Sequence, residues 1–293
     1  MHYRKRFIHR LQEKFLVIGL HDYEELQNLH NLSDEYVELS LNALCCIEFL
    51  PNIKHIILTP GGINWQDIHW LYNLEIESMH LDFYTYENDS YGIDLSRFAN
   101  IKLVFARTQY CFRNSAMCKS LQTLIVQEWI TQDLNCLRCS SILALKIMAG
   151  NLRVLAGIED MPNLISLSLS RQNRLTDCSA LRKNCLESFG IEKCNGVDIA
   201  ALPILPNTRM LYLSGSKRIP NIQTILSLAS NLEWLLLDHT IEDGDLSLLM
   251  KLNHAVIFQN SRHYSHKDNQ LPKSTKSFHS EFLPYHLQIL PET

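Results

Sequence analysis

The feature that most constrains this chain is a short phrase of apolar residues that occurs three times between residues 161 and 215. The three copies read MPNLISLSLS, NCLESFGIEKCN and LPNTRMLYLSG. Their central apolar residues are Leu167, Phe189 and Leu211, so the phrase recurs every 22 residues. A unit of this length cannot bury its own apolar side, and it becomes stable only when neighbouring units stack into a shared core. The repeat therefore predicts a stack of short parallel strands, each joined to the next by a return segment.

The same frame extends over most of the chain, with steps of 19 to 25 residues between successive centres. The predicted centres are Val37, Ile56, Met79, Val104, Leu124, Leu145, Leu167, Phe189, Leu211, Leu235 and Val256. We number each unit so that its centre is position 4. Because successive strand residues point to opposite faces, positions 4 and 6 are predicted to face the core and positions 3, 5 and 7 to face outward.

The L-x-x-L-x-L spacing and its period resemble the leucine-rich repeat family over roughly residues 36–262, in about ten to eleven repeats. This resemblance implies an α/β solenoid, a curved horseshoe with a parallel concave sheet and short helices or turns on the convex side. Position 9 in the family is usually Asn or Cys, which packs against the backbone inside the turn. Cys194 matches that pattern, whereas Gly61, Tyr84 and Trp129 depart from it. We expect Trp129 to be a core residue.

The two ends of the chain break the repeat and are predicted to close the stack. Residues 1–35 are assigned to an N-terminal cap, in which Tyr3, Phe7, Leu11 and Phe15 are spaced as on a short amphipathic helix. Residues 263–293 are assigned to a polar tail. Its apolar part, Phe282 to Leu290, is predicted to dock on the last repeat as a C-terminal cap.

Composition excludes several classes of protein. The formal net charge of −4 gives no support for binding to nucleic acid or to a membrane surface. The apolar run from Phe15 to Leu20 is too short for an export signal or a membrane span. Nine scattered cysteines, an odd number, imply no disulfide framework. These observations predict a cytoplasmic protein that is a monomer when free.

No motif in the chain points to catalysis, to a cofactor or to a metal. A Gly-rich phosphate loop, G-x-S-x-G and H-E-x-x-H are all absent from the sequence. Cys136 and Cys139 have the spacing of a metal or redox pair but stand without a second pair, so we expect both to line the convex interior. His263 and His266 are expected to be solvated. The sequence predicts neither an enzyme nor a metal site.

The functional surface is therefore predicted to be the outward face of the strands. Aromatic side chains ringed by charges are typical of the residues that dominate protein interfaces. The candidate partner-binding residues are Phe83, Phe105, Arg107, Tyr110, Glu128, Lys146, Arg171, Glu192, Tyr212, Trp234, Leu236 and Asp238. Phe105, Tyr212 and Trp234 are expected to be exposed, although a register shift of one residue would turn each of them inward.

The family resemblance implies a non-catalytic module that captures one macromolecular partner, most simply a protein, on its concave face. The irregular repeats, which contain Cys and His, resemble intracellular bacterial members of the family, and some such proteins resemble immunity proteins. By this resemblance, neutralisation of a cognate bacterial toxin is one expected role of the chain. Two alternatives stay open. A substrate-recognition or effector protein would need a catalytic domain, and only about thirty residues follow the repeats. A structural scaffold would self-assemble without a foreign partner.

Overall fold

The structure is a computed structural model of the 293-residue chain. It describes residues 7–8, 13–17, 36–40, 54–59, 69, 71–82, 92–259 and 261–274. The chain divides into two compact units, residues 1–127 and residues 128–291.

The first unit contains strands in the predicted repeat. They are β1 (Phe7–Ile8), β2 (Glu13–Val17), β3 (Tyr36–Ser40), β4 (His55–Thr59), β5 (Ser78–Leu81), β6 (Ile93–Asp94), β7 (Leu103–Thr108), β8 (Phe112–Arg113) and β9 (Thr123–Glu128). β1 is antiparallel to β2, and β2, β3, β4, β5 and β7 then pair in parallel, in chain order, with β9 beside β7. β6 and β8 form a separate two-stranded sheet.

The register of this unit confirms the predicted centres. Val37 pairs with Ile56, Ile56 with Met79, and Met79 with Val104. Leu16 pairs with Val37, so the parallel stack begins one strand earlier than predicted, within the segment assigned to the N-terminal cap.

The amphipathic helix predicted at the N-terminus is wrong where the structure tests it. Phe7 lies in β1, and β2 already begins at Glu13. The spacing of four was misleading because neighbouring strands supply pairing partners that a local helical pattern does not reveal. Tyr3 and Leu11 lie outside the described residues.

The second unit continues with strands of the same kind. They are β10 (Ala144–Ile147), β11 (Ser166–Ser170), β12 (Ser188–Glu192), β13 (Met210–Ser214), β14 (Trp234–Asp238) and β15 (His254–Ile257). All pair in parallel with their chain neighbours, and Leu145, Leu167, Phe189, Leu211 and Leu235 stand in one row as predicted.

The last centre was predicted one residue too late. Ala255, not Val256, pairs with Leu235 and is fully buried. In the stretch HAVIF every residue after His254 is apolar, so the pattern of alternation could not fix the register there.

Short helical segments return the chain from one strand to the next. In the first unit they include 3₁₀ turns at Leu95–Arg97, Gln109–Cys111 and Ser115–Met117. Within the described part of the second unit they are one α-helix, α1 (Ile222–Leu228), and 3₁₀ turns at Ile158–Asp160, Ser179–Lys183, Ile199–Ala201, Ser247–Lys251 and Asp268–Gln270.

Polar residues before these segments set where they start. The Asn221 side chain accepts a hydrogen bond from the Thr224 N–H at 2.9 Å, and Asp198 accepts one from the Ala200 N–H at 3.0 Å. Parallel strands alternating with such returns at the repeat spacing make the fold an α/β leucine-rich repeat solenoid, as predicted.

Position 9 is buried inside the turn in two repeats, at Cys194 and at Trp129. The Cys194 thiol donates to the carbonyls of Leu169 and Glu192 at 3.6 and 3.5 Å, and its sulfur accepts the Gln172 N–H at 3.4 Å. This confirms the expected packing of Cys194 against backbone. Trp129 is fully buried, and its indole N–H donates to the Asp133 carbonyl at 2.9 Å, which confirms it as a core residue.

The C-terminal boundary differs from the prediction. Residues 261–274, most of which were assigned to a polar tail, pack against the last repeats. The His263 ring donates from Nε2 to the Ile241 carbonyl at 2.9 Å, and Tyr264 Oη accepts the Ile241 N–H at 3.0 Å. His263 is exposed, as expected from the sequence, and its ring also hydrogen-bonds to the fold. The predicted cap at Phe282 to Leu290 lies outside the described residues.

Candidate functional site

The twelve predicted partner-binding residues separate into two groups. Phe105, Arg107 and Tyr110 belong to the first unit. Eight belong to the second unit: Glu128, Lys146, Arg171, Glu192, Tyr212, Trp234, Leu236 and Asp238. Phe83 lies outside the described residues, as does its neighbour Tyr84.

In the first unit, outward side chains at and just beyond β5, β7 and β9 form a mixed apolar and charged surface. We call it the Phe105 patch, and it consists of His80, Asp82, Phe105, Arg107, Ile125 and Gln127. Along β7 the burial alternates strictly, so that Phe105 and Arg107 are half-buried whereas Val104 and Ala106 are fully buried. The outward prediction for Phe105 and Arg107 is confirmed by this alternation.

Phe105 is held in place by its neighbour on β5. The His80 and Phe105 rings lie side by side in register, with centroids 4.3 Å apart and planes at 63°, an edge-to-face contact. Burial lowers the pKa of His80, with Arg107 adding to that effect and Asp82 opposing it. His80 is therefore neutral at neutral pH and acts as an aromatic neighbour of Phe105.

Arg107 links three strands of the patch through its guanidinium. Its Nη1 lies 3.4 Å from Asp82 Oδ1 and donates to Gln127 Oε1 at 3.2 Å. The Arg107 side chain still keeps 31 % of its surface exposed and Asp82 keeps 43 %. Both charges thus remain accessible to solvent beside a fixed aromatic ring. Asp82, His80 and Gln127 were not among the predicted site residues, although their outward positions 7 and 5 were visible in the repeat frame.

Tyr110 does not belong to the outward row of the patch. It lies in the 3₁₀ turn Gln109–Cys111 that follows β7, where the chain has already left the strand. It is half-buried there. The row of alternating strand positions ends at Thr108, so sequence spacing alone could not place Tyr110.

In the second unit the exposed aromatic group predicted from the sequence is wrong. Tyr212, Trp234 and Leu236 do stand on the outward side of β13 and β14, yet they retain only 9, 6 and 6 % of their surface. Trp234 stacks on His254 with ring centroids 4.5 Å apart and an interplanar angle of 21°. The alternation gave the face correctly but could not show that this face is shielded from solvent.

The remaining predicted residues of this unit are charged and accessible. Arg171 is exposed, and Glu128, Lys146, Glu192 and Asp238 are half-buried. Asp238 Oδ2 accepts a hydrogen bond from the Ser214 hydroxyl at 3.0 Å. Glu192 and Asp238 flank Tyr212, and the pKa of that phenol is raised by burial and by their negative charges.

A ladder of charges at the strand starts was missed by sequence reasoning. In the first unit Glu77 lies 3.0 Å from Lys54 and 2.7 Å from Lys102. In the second unit Arg209 lies 2.7 Å from Glu233. All five residues occupy position 2 of their repeats. The alternation of positive and negative residues at this position is the sequence pattern from which these ion pairs could have been predicted.

Part of this ladder lines a polar groove of about 630 Å³ in the second unit. The groove is bounded by Cys185, Glu187, Asn207, Arg209, Ser230, Asn231, Leu232 and Glu233. Its arginine already pairs with Glu233, and its carboxylate and amide groups form no arrangement typical of an acid–base or nucleophilic centre.

The cysteine pair is only partly where it was expected. Cys139 is fully buried, but Cys136 is exposed in a turn whose buried residues are Leu134 and Leu137. Within the residues that the structure describes, no group of three or more His, Cys, Asp or Glu side chains could hold a metal ion. None of the helices in the same residues is long and apolar enough to cross a membrane.

Comparisons with known proteins add little to this description. No protein-family model and no curated protein matches the chain. Among solved structures, an internalin from Listeria monocytogenes matches 80 % of this chain and 77 % of its own, with 16 % identity and a TM-score of 0.42. Because that likeness is distant, the fold assignment rests on the strand ladder and the repeat spacing of the chain itself.

Proposed function

We propose that this chain is a non-catalytic protein-binding module and that the Phe105 patch is the surface that captures its partner. The observation that carries the proposal is a half-exposed phenylalanine fixed edge-to-face by His80 and bordered by the Arg107–Asp82 pair. Such a group offers apolar contact area at little entropic cost, and the adjacent charges supply orientation. A cytoplasmic location, predicted from the sequence, is part of the proposal.

The test is affinity capture from the native cells with three versions of the full chain: wild type, Phe105→Ala and Met117→Ala. Met117 is the matched control because it is a large apolar residue of the same unit that is 69 % exposed on a return segment. If Phe105 is an anchor, its truncation should cost about 2 kcal/mol of binding, roughly thirtyfold in affinity. Met117→Ala should retain the partner at wild-type level.

Equal retention by wild type and Phe105→Ala, with both proteins folded, would refute the Phe105 patch as the binding surface. The identity of a captured partner tests the finer hypotheses. A toxin encoded nearby would support the neutralising role of an immunity protein. An enzyme or its substrate would favour a recognition role, and self-association without a foreign partner would favour a scaffold.

A further inference from the structure

The edge of β15 is closed by a short segment that follows it in the chain. We call residues 268–274 the strap. The Ile257 N–H donates to Asp268 Oδ1 at 2.8 Å. The Ala255 N–H donates to the Pro272 carbonyl at 2.9 Å. The strap thus runs antiparallel to β15 and pairs backbone groups that would otherwise form an open strand edge.

The strap is held more weakly at its end than in its middle. Leu271 is buried, with 4 % of its surface exposed, and anchors the middle. Beyond it, the Lys273 ammonium donates to the Ala255 carbonyl at 2.6 Å, and the Ser274 N–H donates to Nδ1 of His254 at 3.0 Å. Pro272, Ser274 and His254 are half-buried and Lys273 is exposed. The strap end, residues 272–274, therefore depends on hydrogen bonds and not on apolar burial.

The hydrogen bond between Ser274 and His254 requires a neutral imidazole. A backbone N–H can only donate, so Nδ1 of His254 accepts and the ring proton is on Nε2. A protonated imidazole carries hydrogen on both nitrogens and has no acceptor left. Protonation of His254 thus replaces this hydrogen bond by two donors that face each other.

The other histidines near the strap keep their hydrogen bonds when they are protonated. Nδ1 of His263 and Nδ1 of His266 each face a serine hydroxyl, which can act as donor or acceptor. Nε2 of His263 and Nδ1 of His239 lie 2.9 and 2.6 Å from backbone carbonyls, to which they donate in either charge state. Among these side chains, His254 is the one whose hydrogen bond is lost on protonation.

The surroundings of His254 favour its neutral form while the strap is closed. Burial and the Lys273 ammonium lower the pKa of His254, in that order, and Asp268 opposes them. From β14 the ring is met by the uncharged Trp234, with ring centroids 4.5 Å apart. Glu233, which precedes that strand, is already engaged in an ion pair. Release of the strap end therefore lets the ring take up a proton more readily.

We propose that His254 is a pH-dependent latch, which holds the strap end against β15 in its neutral form and releases it when protonated. The latch is closed above the usual histidine pKa of 6.5 and weakens as pH falls below it, because the released ring binds the proton more tightly. Release uncovers the N–H and the carbonyl of Ala255, which form a strand edge to which an extended peptide can add. The latch belongs to the second unit and does not depend on the Phe105 patch.

The test is hydrogen–deuterium exchange of the full chain at about pH 7.5 and about pH 5.5, on either side of the usual histidine pKa. Exchange is followed at single amides by NMR and normalised for the intrinsic effect of pH. The amides of Ala255 and Ser274 report the strap end. The Ile257 amide is an internal control, because Asp268 binds it outside the strap end.

Two variants separate His254 from a general effect of acid. His254→Asn keeps an acceptor oxygen near the place of Nδ1 but does not titrate in this range. His266→Asn is the matched control, because it removes a titrating histidine whose ring nitrogen faces the Ser265 hydroxyl.

The wild type and His266→Asn should lose protection at Ala255 and Ser274 at the lower pH by several-fold, up to about tenfold for a released group one pH unit below its pKa. Ile257 should stay protected, and His254→Asn should show equal protection at both pH values. Equal protection of the wild type at both, or an equal loss in His254→Asn, would overturn the proposal.

An NMR titration of the His254 ring in the wild type decides the case in which His254→Asn is unprotected throughout. The latch requires that the ring titrates below 6.5 and that protection is lost between pH 6.5 and that midpoint. A ring midpoint at or above 6.5, or a loss of protection outside this window, would overturn it.

Discussion

Replacing Gly150 by alanine is a direct test of how the turns of the second unit pack. Gly150 has a φ of +144°, and a Cβ atom there would lie 2.1 Å from the Trp129 carbonyl oxygen and 2.7 Å from its nitrogen. The same two residues form a parallel bridge. Trp129 N–H donates to the Ala149 carbonyl and Asn151 N–H donates to the Trp129 carbonyl, both at 2.8 Å. A methyl group cannot enter without separating these backbones.

The expected cost follows from these contacts. Two backbone hydrogen bonds contribute about 1 kcal/mol each. A non-glycine residue in that region of φ adds about 1–3 kcal/mol of strain. The free energy of unfolding should therefore fall by about 3–5 kcal/mol, a large share of the roughly 5–15 kcal/mol typical of folded domains.

The assay is urea denaturation followed by circular dichroism, with Gly215→Ala as the matched control. At Gly215 the backbone has no positive φ, and the nearest atom to a new Cβ is Cε1 of the His239 ring at 3.0 Å, a side-chain atom and not a backbone atom. That change should cost clearly less than Gly150→Ala, because only the buried His239 ring has to shift and no pair of backbones has to separate. A Gly150→Ala protein within about 1 kcal/mol of wild type, with an unchanged slope against urea, would refute the reasoning.

Three further predictions concern charge and thiol chemistry. Lys102 and Lys54 lower the pKa of Glu77 to about 2. The stabilising contribution of this carboxylate is therefore present above its usual pKa of 4.5 and is lost as pH falls from there toward 2. Replacing Glu77 by Gln should lower the free energy of unfolding at neutral pH by about 1 kcal/mol, after allowance for solvent screening, and should make stability depend less on pH in the acid range. Burial lowers the pKa of His80 from its usual value of 6.5. Stability should therefore fall as pH drops below 6.5, because His80 takes up a proton in the unfolded chain but not in the folded one. Between about pH 7 and about pH 5.5, the urea midpoint of His80→Gln should shift less than that of the wild type. Burial raises the pKa of the Cys194 thiol to about 11, whereas Cys185 is exposed. Iodoacetamide should therefore label Cys185 well before Cys194, as followed by mass spectrometry of peptides. Early labelling of Cys194 would contradict its buried position in the turn.

The sequence predicted the repeat well because two independent periods agree. A spacing near 22 residues places each strand, and alternation within the strand selects the residues that face the core. Leu167, Phe189 and Leu211 satisfy both and are all buried in register. Where alternation is absent, as around Val256, the period alone permits an error of one residue.

The candidate site was less predictable, because side-chain direction and solvent access are separate properties. Phe105 and Trp234 both occupy outward positions in their strands. One remains half-exposed and the other retains 6 % of its surface. A repeat frame specifies the face but contains no information about a layer that lies over it.

Neighbouring outward residues carry only part of this information. Position 7 is charged in both units, by Asp82 and Arg107 around Phe105 and by Glu192 and Asp238 around Tyr212, so charge content alone does not separate an open strand face from a shielded one. The feature that does differ is the large apolar pair at position 3, where Met210 and Trp234 stand side by side in register. Side chains of that size are costly to leave in water, so such a pair is the better physical indication that a strand face of this repeat is shielded.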